Sequence, residues 1–522
     1  MARKIGVASL IVMASVFLSR ILGQVRQSYI AYVGGAGSDV DAYTIAFQIP
    51  DVLNHVVAGG FLSVTFIPIF ARHLEDGREE EGWRVLSIVL TVCLSVLTLL
   101  TALTMWAAPT LVAWVAPGIS DDPATLAKAT HMTRIILPAQ IFFFAGGIFM
   151  AVQYAKGRFL LPALAPLVYN LGIIGGGVVL SGPLGIEGFA WGVLMGAFAG
   201  QLALQWIGAR DAGMRLRPSF RIFHPDFRSF LWLTFPLVLG LSMTFSMEFF
   251  FKFFGSMLGK GTVASLNYAL RVNLLLVALF GQAAGVASFP FLARLYASGD
   301  LPQMLETLNQ TIRRYLCLAI PASALMIVAA HETVVVLFKR GAFDHHAVVT
   351  TTAMLQVFLA GAFAMAAVNL VVRGFYATRS TWLPALFGSL AVGFSVPLYW
   401  LFTRWLGGLG VALGVTVSGF LQAALLYGVW NRRMGNRGGP TYLALLRALA
   451  MTIPLGAALW GLRWLLLRAV DNSRPWGALA ICLILGAAFL ALTVALAHLF
   501  RVTEISSLAT RVGNKLHRRG RG

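Results

Sequence analysis

Long apolar stretches recur along the whole chain of 522 residues. Each is long enough to cross about 30 Å of hydrocarbon as a helix that rises about 1.5 Å per residue. Only 11% of the residues are charged, against roughly 25% in a soluble domain. We therefore predict an all-α, polytopic membrane protein with about 14 transmembrane helices, at residues 6–33, 41–71, 85–106, 132–155, 162–181, 186–208, 229–254, 262–293, 312–337, 346–377, 382–403, 409–430, 442–467 and 476–500.

The basic residues are distributed unevenly over this predicted topology. The formal net charge is +20, from 40 basic and 20 acidic residues, and in a soluble protein such an excess would suggest binding to nucleic acid. Here, 27 basic residues fall on the side of the amino terminus and nine on the opposite side. Because basic loops of membrane proteins lie mainly in the cytoplasm, we expect both termini there and no nucleic-acid partner.

An internal repeat is the second feature that constrains the fold. Three motifs recur at a constant offset of 222 residues, pairing 66–72 with 288–294, 154–164 with 376–386, and 184–193 with 406–415. The offset predicts a duplicated unit of six helices. Because six is even, both copies have one orientation, as in parallel-repeat transporters with a central cavity between two lobes.

The repeat also predicts the domain organisation. Helices 1–6 form an N-terminal lobe over residues 1–210, and helices 7–12 form a C-terminal lobe over residues 225–432. Helices 13 and 14, over residues 440–500, are two extra C-terminal helices that form an accessory groove or pack on the outside. Residues 501–522 form a basic cytoplasmic tail.

Three arginines lie within predicted spans. Arg20 and Arg26 are on the first helix and Arg271 is near the start of the eighth. An arginine at the centre of a span costs about 2.5–3.5 kcal/mol, so it normally faces protein or water. Arg20 and Arg26 are about 240° apart around the helix, so one is expected to line the cavity while the other pairs elsewhere. A guanidinium suits capture of a phosphate; snorkelling of Arg26 and a structural pair of Arg271 with Asp41 or Glu248 are the alternatives.

Other polar residues in the spans are candidates for gating or substrate contact. Glu248 and Lys252 are four residues apart on helix 7, which predicts a mutually neutralising pair; a cation- or proton-coupled gate is the alternative. Asp41 is a second gating candidate or a helix cap. His55 is able to titrate near neutral pH or is simply hydrogen-bonded, and Asn170 donates either to a sugar or phosphate or to a neighbouring helix.

Sequence motifs for chemistry are lacking. Residues 255–261 read G-S-M-L-G-K-G, which is one residue short of a phosphate-binding P-loop and has no Ser or Thr after the Lys. The three cysteines lie in apolar runs without metal-ligand spacing. We therefore expect a transporter rather than an enzyme, with no cofactor and no metal.

Several short motifs, in order along the chain, resemble the MurJ (MviN) lipid II flippase family. They are Ser19-Arg20-Ile21-Leu22-Gly23 with Arg26, Gly35-Ala36-Gly37, Asp41-Ala42, Ala46-Phe47 before Pro50, Phe66-Ile67-Pro68, Ala165-Pro166 before Asn170, Tyr268-Ala269 with Arg271, Leu337-Phe338 with Arg340-Gly341 and Phe343, and Phe375-Tyr376-Ala377. The resemblance covers roughly residues 5 to 500.

This resemblance implies a member of the multidrug/oligosaccharidyl-lipid/polysaccharide exporter superfamily that works by alternating access. It implies movement of lipid II, the undecaprenyl-diphosphate-linked peptidoglycan precursor, from the inner to the outer leaflet of the bacterial cytoplasmic membrane. Such a protein serves cell wall biogenesis and cell shape. By position, Arg20, Arg26, Asp41 and Arg271 match functional positions of the family, and Asn170 matches a cavity asparagine.

The second helix departs from the family pattern. Pro-Asn-Leu-Leu-Arg-Arg followed by Glu-Gly is replaced by residues 50–55, P-D-V-L-N-H, followed by Gly59-Gly60, and Gln27 replaces an acidic residue. Two arginines and two carboxylates are lost, so a flippase for another undecaprenyl-diphosphate-linked glycan is one alternative. A cation-coupled drug antiporter is another, and a non-transporting scaffold or enzyme is a third. A coupling cation or the membrane potential is the expected energy source.

Overall fold

The computed structural model describes residues 2–57, 61–378, 380, 382–500, 502, 504 and 505, with side chains for all of these except 2–10, 55–57, 61–64, 235–247, 279, 282–284, 286 and 287. Every regular element within these ranges is a helix, which confirms the predicted all-α class. Ten of the described helical segments are long and apolar enough to cross a membrane. The protein is therefore a multi-pass membrane protein.

The chain packs as two compact units, of which the first comprises Met1–Ala264 and Arg340–Phe343. A short 3₁₀ turn, Pro117–Ile119, and a π-helical turn, Ala197–Ala203, interrupt its helices. Those helices are α1 Ala2–Gly34, α2 Ser38–Ala46, α3 Gln48–Val57, α4 Phe61–Glu75, α5 Glu79–Val115, α6 Pro123–Ile136, α7 Ala139–Ala155, α8 Leu160–Leu184, α9 Glu187–Gly196, α10 Leu204–Asp211 and α11 Pro225–Ser256.

The second compact unit comprises Ser265–Lys339 and Asp344–Gly522. Its first helix, α12 Thr262–Val277, begins three residues before the unit does and is followed by a π-helical turn, Ala278–Gln282. The remaining helices are α13 Ala283–Ala297, α14 Leu301–Val328, α15 Ala330–Phe338, α16 His345–Ala377, α17 Trp382–Leu406, α18 Gly408–Met434, α19 Gly439–Leu466 and α20 Pro475–Leu499.

The helix predicted at 41–71 is divided into α2, α3 and α4. One break lies just before Pro50, which has no N–H to donate to the carbonyl four residues earlier, that of Ala46. The buried Thr133 hydroxyl of α6 donates to the Ala129 oxygen of its own helix at 2.7 Å and also lies 3.3 Å from the Ala46 oxygen. A side chain from a neighbouring helix thus gives the free carbonyl a second, longer polar contact where proline makes no backbone bond.

Two predicted domain assignments remain predictions. The lobe boundary at 210–225 follows the sequence repeat, whereas in the structure α11 packs on α3, α4 and α5 within the first compact unit. The basic tail at 501–522 lies outside the described residues apart from Val502, Glu504 and Ile505.

Helix bounds carry the same offset of 222 residues as the sequence motifs. Helix α8 ends at Gly185, with φ 56° and ψ −133°. Helix α17 ends before Gly407, with φ 56° and ψ −129°. Two further pairs of glycines with positive φ have this spacing, Gly77 with Gly299 and Gly213 with Gly435. The predicted axis along the membrane normal and the predicted central cavity remain predictions.

Helices α8 and α9 approach each other through glycines. A Cβ added to Gly172 would lie 2.3 Å from the Cα of Gly196, and one added to Gly176 would lie 2.4 Å from the Cα of Gly192. Without side chains at these positions the two backbones touch, which is how helices gain van der Waals contact where no hydrophobic effect drives them together.

In the second unit a buried ion pair joins α15 to α19. Glu332 is fully buried, and its carboxylate accepts from Arg463 Nε at 3.0 Å and from a terminal Arg463 nitrogen at 2.8 Å. The Asn472 amide, in the loop after α19, donates to the same carboxylate at 3.0 Å. Because both carboxylate oxygens accept hydrogen bonds, the pair offsets part of the cost of taking two charges out of water.

Substitution of Gly176 by Ala is expected to destabilise the protein. The added methyl must push α9 away, and such overpacking costs about 1–3 kcal/mol. Gly175→Ala is a matched control, because a Cβ at Gly175 meets nothing within 4 Å. Thermal unfolding of the purified protein should show a clear loss for Gly176→Ala alone; equal behaviour of the two variants would contradict the close approach.

Substitution of Arg463 by Ala is expected to lower the free energy of unfolding by about 3–5 kcal/mol, because it leaves the Glu332 charge buried and unpaired. Arg474→Ala is the control, since its pair with Asp471, at 3.4 Å, is exposed on both sides. The same unfolding measurement applies. An Arg463→Ala protein as stable as Arg474→Ala would show that the buried pair contributes little.

Candidate functional site

Helix α1, which carries two of the predicted arginines, packs along α8 in the first unit. The buried Asn170 amide of α8 donates to the Ser19 hydroxyl at 3.1 Å and to its own helix at the Pro166 oxygen, at 2.9 Å. One turn earlier, the Ser15 hydroxyl donates to the Ala163 carbonyl. Asn170 therefore bonds a neighbouring helix, as its alternative interpretation predicts, and a contact with substrate stays a prediction.

Arg26 lies about two turns beyond Ser19 along α1, in a small polar cluster. Its side chain is half-buried, and its Nε is buried with no hydrogen-bond partner among the described residues. Arg26 and Asp51 of α3 both lie within electrostatic range of the Tyr169 phenol of α8. We call Arg26, Asp51 and Tyr169 the Arg26 cluster. A guanidinium with an unused buried N–H donor is suited to bind an anionic ligand.

The other predicted substrate-binding residues lie elsewhere. Arg20 is exposed, in agreement with its position on a different face of α1 from Arg26. Arg271 lies on α12 in the second unit and is also exposed. The His55 side chain lies outside the described residues. A shared cavity for Arg20, Arg26 and Arg271 therefore stays a prediction.

The predicted ion pair on α11 is not formed among the described residues. Lys252 is buried and Glu248 is half-buried, yet neither has a described ionic partner. Phe249 stacks on Phe253 at 6.0 Å between ring centroids, about 100° around the helix from the two charged residues. Spacing of four residues brings the two charges to one face, but it does not fix the rotamers that would join them.

Asp41 forms the centre of a second polar site. The buried carboxylate accepts from the Gly261 N–H at 2.5 Å and from the Ala264 N–H at 2.7 Å, at the amino end of α12. The first N–H groups of a helix have no partner within the helix, and a carboxylate there also benefits from the helix dipole. Asp41 is thus a cap, but for a helix distant in sequence rather than its own.

Backbone contacts surround this carboxylate. The Ala342 N–H donates to the Tyr32 oxygen at 2.9 Å. Gly261 has φ +84°, and a Cβ there would lie 2.0 Å from the Ala36 oxygen; Gly341 has φ +58° and would clash with Tyr32. Residues 32–41, 259–264 and 340–343 form what we call the three-segment junction. Only glycine fits at its two tightest contacts.

Two ion pairs flank the three-segment junction. Lys260 binds Asp122 at 2.8 Å, and Lys128 binds Asp39 at 2.5 Å. The Lys260 ammonium, followed by hydrogen bonds from Thr125, lowers the pKa of Asp122 to about 2. The same pair raises the pKa of Lys260. The Lys260–Asp122 pair is therefore fully ionised at neutral pH.

Sequence inspection missed Tyr169 and the three-segment junction. A tyrosine within an apolar helix carries no motif, and the three segments of the junction are separated by more than 200 and by more than 70 residues in the chain. The one available signal is the set of glycines at 261 and 341, each preceded by a basic residue.

Comparison with known proteins adds the family. A family model described as "Lipid II flippase MurJ" matches residues 30–499. A probable lipid II flippase MurJ of Rhizobium meliloti is 28% identical over 487 residues, which cover 90% of this chain and 89% of the relative. The lipid II flippase MurJ of Burkholderia cenocepacia is 27% identical over 495 residues, covering 92% and 95%.

Solved structures show the same fold. A lipid II flippase MurJ in an inward closed conformation aligns with a TM-score of 0.75 and 21% identity, covering 94% of this chain and 99% of the other. An inward-facing multidrug transporter of the MATE family aligns with a TM-score of 0.66 and 15% identity, covering 80% and 94%. Since the family model spans most of its length, the chain belongs to the lipid II flippase MurJ family.

Proposed function

We propose that this protein is a flippase that moves lipid II from the inner to the outer leaflet of the bacterial inner membrane. The observation that carries the proposal is the half-buried Arg26, whose Nε lacks a described partner, in a chain of the MurJ family. A diphosphate is the part of lipid II that most needs protection from hydrocarbon, and charge-assisted hydrogen bonds from arginine supply it.

In this proposal Arg20 and Arg271 join Arg26 in holding the diphosphate, with Asn170 and His55 as further contacts. Both lobes, over 1–210 and 225–432, then alternate in exposing the substrate to either side. The lipid tail stays in the bilayer, along the helices at 440–500. Both termini lie in the cytoplasm, as the distribution of basic residues favours.

The three-segment junction is the gate in this mechanism. Opening it exchanges the two backbone bonds of Asp41 for bonds to water. Hydrogen bonds to a charged group contribute about 1.5–3 kcal/mol each, so binding of substrate has to supply a comparable free energy for the gate to open. Glu248 and Lys252 are proposed coupling residues, with a cation or the membrane potential as the driving force.

A flippase for another undecaprenyl-diphosphate-linked glycan is a second candidate. It is favoured by Asp51, which brings a negative charge within range of the same Tyr169 as Arg26. An adjacent carboxylate lowers the net positive charge that a diphosphate would meet. A cation-coupled drug antiporter has only the fold of MATE transporters in its support.

Replacement of a depleted lipid II flippase in living cells tests the proposal. The wild-type chain should restore growth and lipid II exposure on the outer surface. Arg26→Ala should reduce that exposure by roughly 10- to 100-fold, as expected for loss of about 1.5–3 kcal/mol of charge-assisted bonding. Arg404→Gln is the control, because Arg404 stacks on Trp400 at 4.2 Å, outside the Arg26 cluster.

Two outcomes would change the proposal. Wild-type protein that inserts normally yet fails to restore growth would favour a different lipid-linked glycan as substrate. Full activity of Arg26→Ala would remove this arginine from the binding site.

The Lys260–Asp122 pair beside the gate should stay ionised over the physiological pH range. Because the folded pKa of Asp122, about 2, lies below its ordinary 3.8, the contribution of this pair is present above the ordinary value and is lost only as the pH falls through about 2. A cysteine at Val263, which is buried, should react with an impermeant thiol reagent at a constant rate from pH 7.5 to 8.5, relative to one at the exposed Gly259.

Two variants complete this measurement, in a chain whose native cysteines are replaced by Ala. Lys260→Gln should raise the relative rate only a few-fold, because the pair is exposed. Asp41→Ala should raise it much more, since it removes both backbone bonds. A relative rate that climbs steeply between pH 8.5 and 7.5 in the wild-type background would contradict the ionisation assigned to Asp122.

A further inference from the structure

The loop between α10 and α11, residues 212–224, runs along α5 and back. It starts beside the first turn of α5, where Lys156 donates to the Ala212 oxygen at 2.7 Å and Arg215 binds Glu80 at 2.5 Å. It then follows α5 inwards and returns to the level of the first turn, where His224 contacts Glu81 at 2.9 Å.

Two hydrogen bonds from the loop backbone show how far along α5 the loop extends. The Arg217 N–H donates to the Ser87 hydroxyl at 3.0 Å, and the Ser219 N–H donates to the Thr91 hydroxyl at 3.2 Å. Arg84 is the last charged residue of α5. At about 1.5 Å per residue, Ser87 and Thr91 lie about 5 and 10 Å beyond it. Interfacial segments bury their apolar face by about the same 5–10 Å.

The tip of the loop is apolar and exposed. Phe220 is 68% exposed, Ile222 46% and Phe223 84%. The tip is an ordered turn, because the Ile222 N–H donates to the Phe220 oxygen at 2.8 Å and the His224 N–H donates to the Arg221 oxygen at 3.1 Å. Three exposed apolar side chains at interfacial depth would be unfavourable in water and favourable in lipid.

The surface of α5 beyond the loop also faces outwards. Ser95 and Leu99 follow Thr91 at spacings of four on the same side of the helix, and both are exposed. The loop therefore covers this side of α5 next to its charged first turn, and the surface further along the same side stays exposed. Met214 and Leu216 pack inwards against the core of the first unit, so the first part of the loop is fixed as well.

Basic residues beside the tip have no described acidic partner. These are Arg217, Arg221 and Arg228, all exposed. Four nearby carboxylates are already paired: Glu79 with Lys156, Glu80 with Arg215, Glu81 with Arg84 and His224, and Asp226 with Arg72 and His73. Unpaired guanidinium groups next to an inserted apolar tip complement the phosphates of anionic lipids.

We propose that residues 212–224 are a membrane anchor that inserts Phe220 and Phe223 into one leaflet and binds anionic phospholipid headgroups through Arg217 and Arg221. The basic loops assign that leaflet to the cytoplasmic side. This surface is separate from the Arg26 cluster and contacts bilayer lipid rather than transported substrate. It fixes the depth of α5 and of the amino end of α11.

A depth measurement tests the insertion. The full chain, with Cys93, Cys317 and Cys482 replaced by Ala, carries an environment-sensitive fluorophore on Phe223→Cys in nanodiscs of phosphatidylglycerol and phosphatidylcholine. Lipids brominated near the headgroup end of the acyl chain should quench it at least twofold more than a fluorophore on Ser298→Cys, in an exposed loop. Equal quenching of both positions by aqueous iodide would overturn the proposal and indicate a surface free for a soluble partner.

A charge measurement tests the headgroup contact. With the label on Phe223→Cys, brominated phosphatidylglycerol should quench more than brominated phosphatidylcholine at equal mole fraction. Changing both Arg217 and Arg221 to Gln should reduce this preference by up to about fivefold for each arginine. Arg215→Gln is the matched control, because Arg215 is held by Glu80. An equal preference in the double variant and the control would overturn the assignment of headgroup binding.

Discussion

Backbone polar groups in hydrocarbon have to find partners within the protein, and this constraint governs the described part of the fold. Long helices satisfy it along their own length. Where they are interrupted, polar side chains lie at the break: the Thr133 hydroxyl is 3.3 Å from the carbonyl that Pro50 leaves free, and Asp41 accepts from the first N–H groups of α12. Candidate functional residues therefore lie at the breaks between helices. An unpaired backbone group and a buried polar side chain are each unfavourable in hydrocarbon unless they bond to each other.

Charged side chains likewise find partners within the protein. Carboxylates at the first turn of α5 are paired with basic residues of the following loops, and Glu332 is enclosed by Arg463 and Asn472. Against this background Arg26 is distinctive, since its Nε is buried without a described partner. The buried Lys252 also has no described ionic partner, and the unused donor of Arg26 gives its surroundings the electrostatic character that an anionic ligand requires.

Hydropathy located the helices well and their ends less well. The predicted span 132–155 begins later than the helix does. Lys128, His131 and Arg134 lower the hydropathy of α6, although this helix packs on α2 and α9. Arg26 could be identified from the sequence, because an arginine inside an apolar helix is energetically costly and usually faces protein or water. Tyr169 could not, and neither could the three-segment junction, because contacts between segments so distant in the chain leave no local pattern. The unformed pair of Glu248 and Lys252 shows that helical spacing indicates proximity alone.

The membership of residues 340–343 in the first compact unit has a consequence for biogenesis. Tyr32 receives its backbone bond from Ala342, which leaves the ribosome some 300 residues later. Helices α1 to α11 are thus synthesised before one segment of their own unit, and the growing chain has to return to them after about two thirds of it has been made. Closure of the first unit is therefore a late event of assembly, coupled to insertion of the helices between α11 and α16.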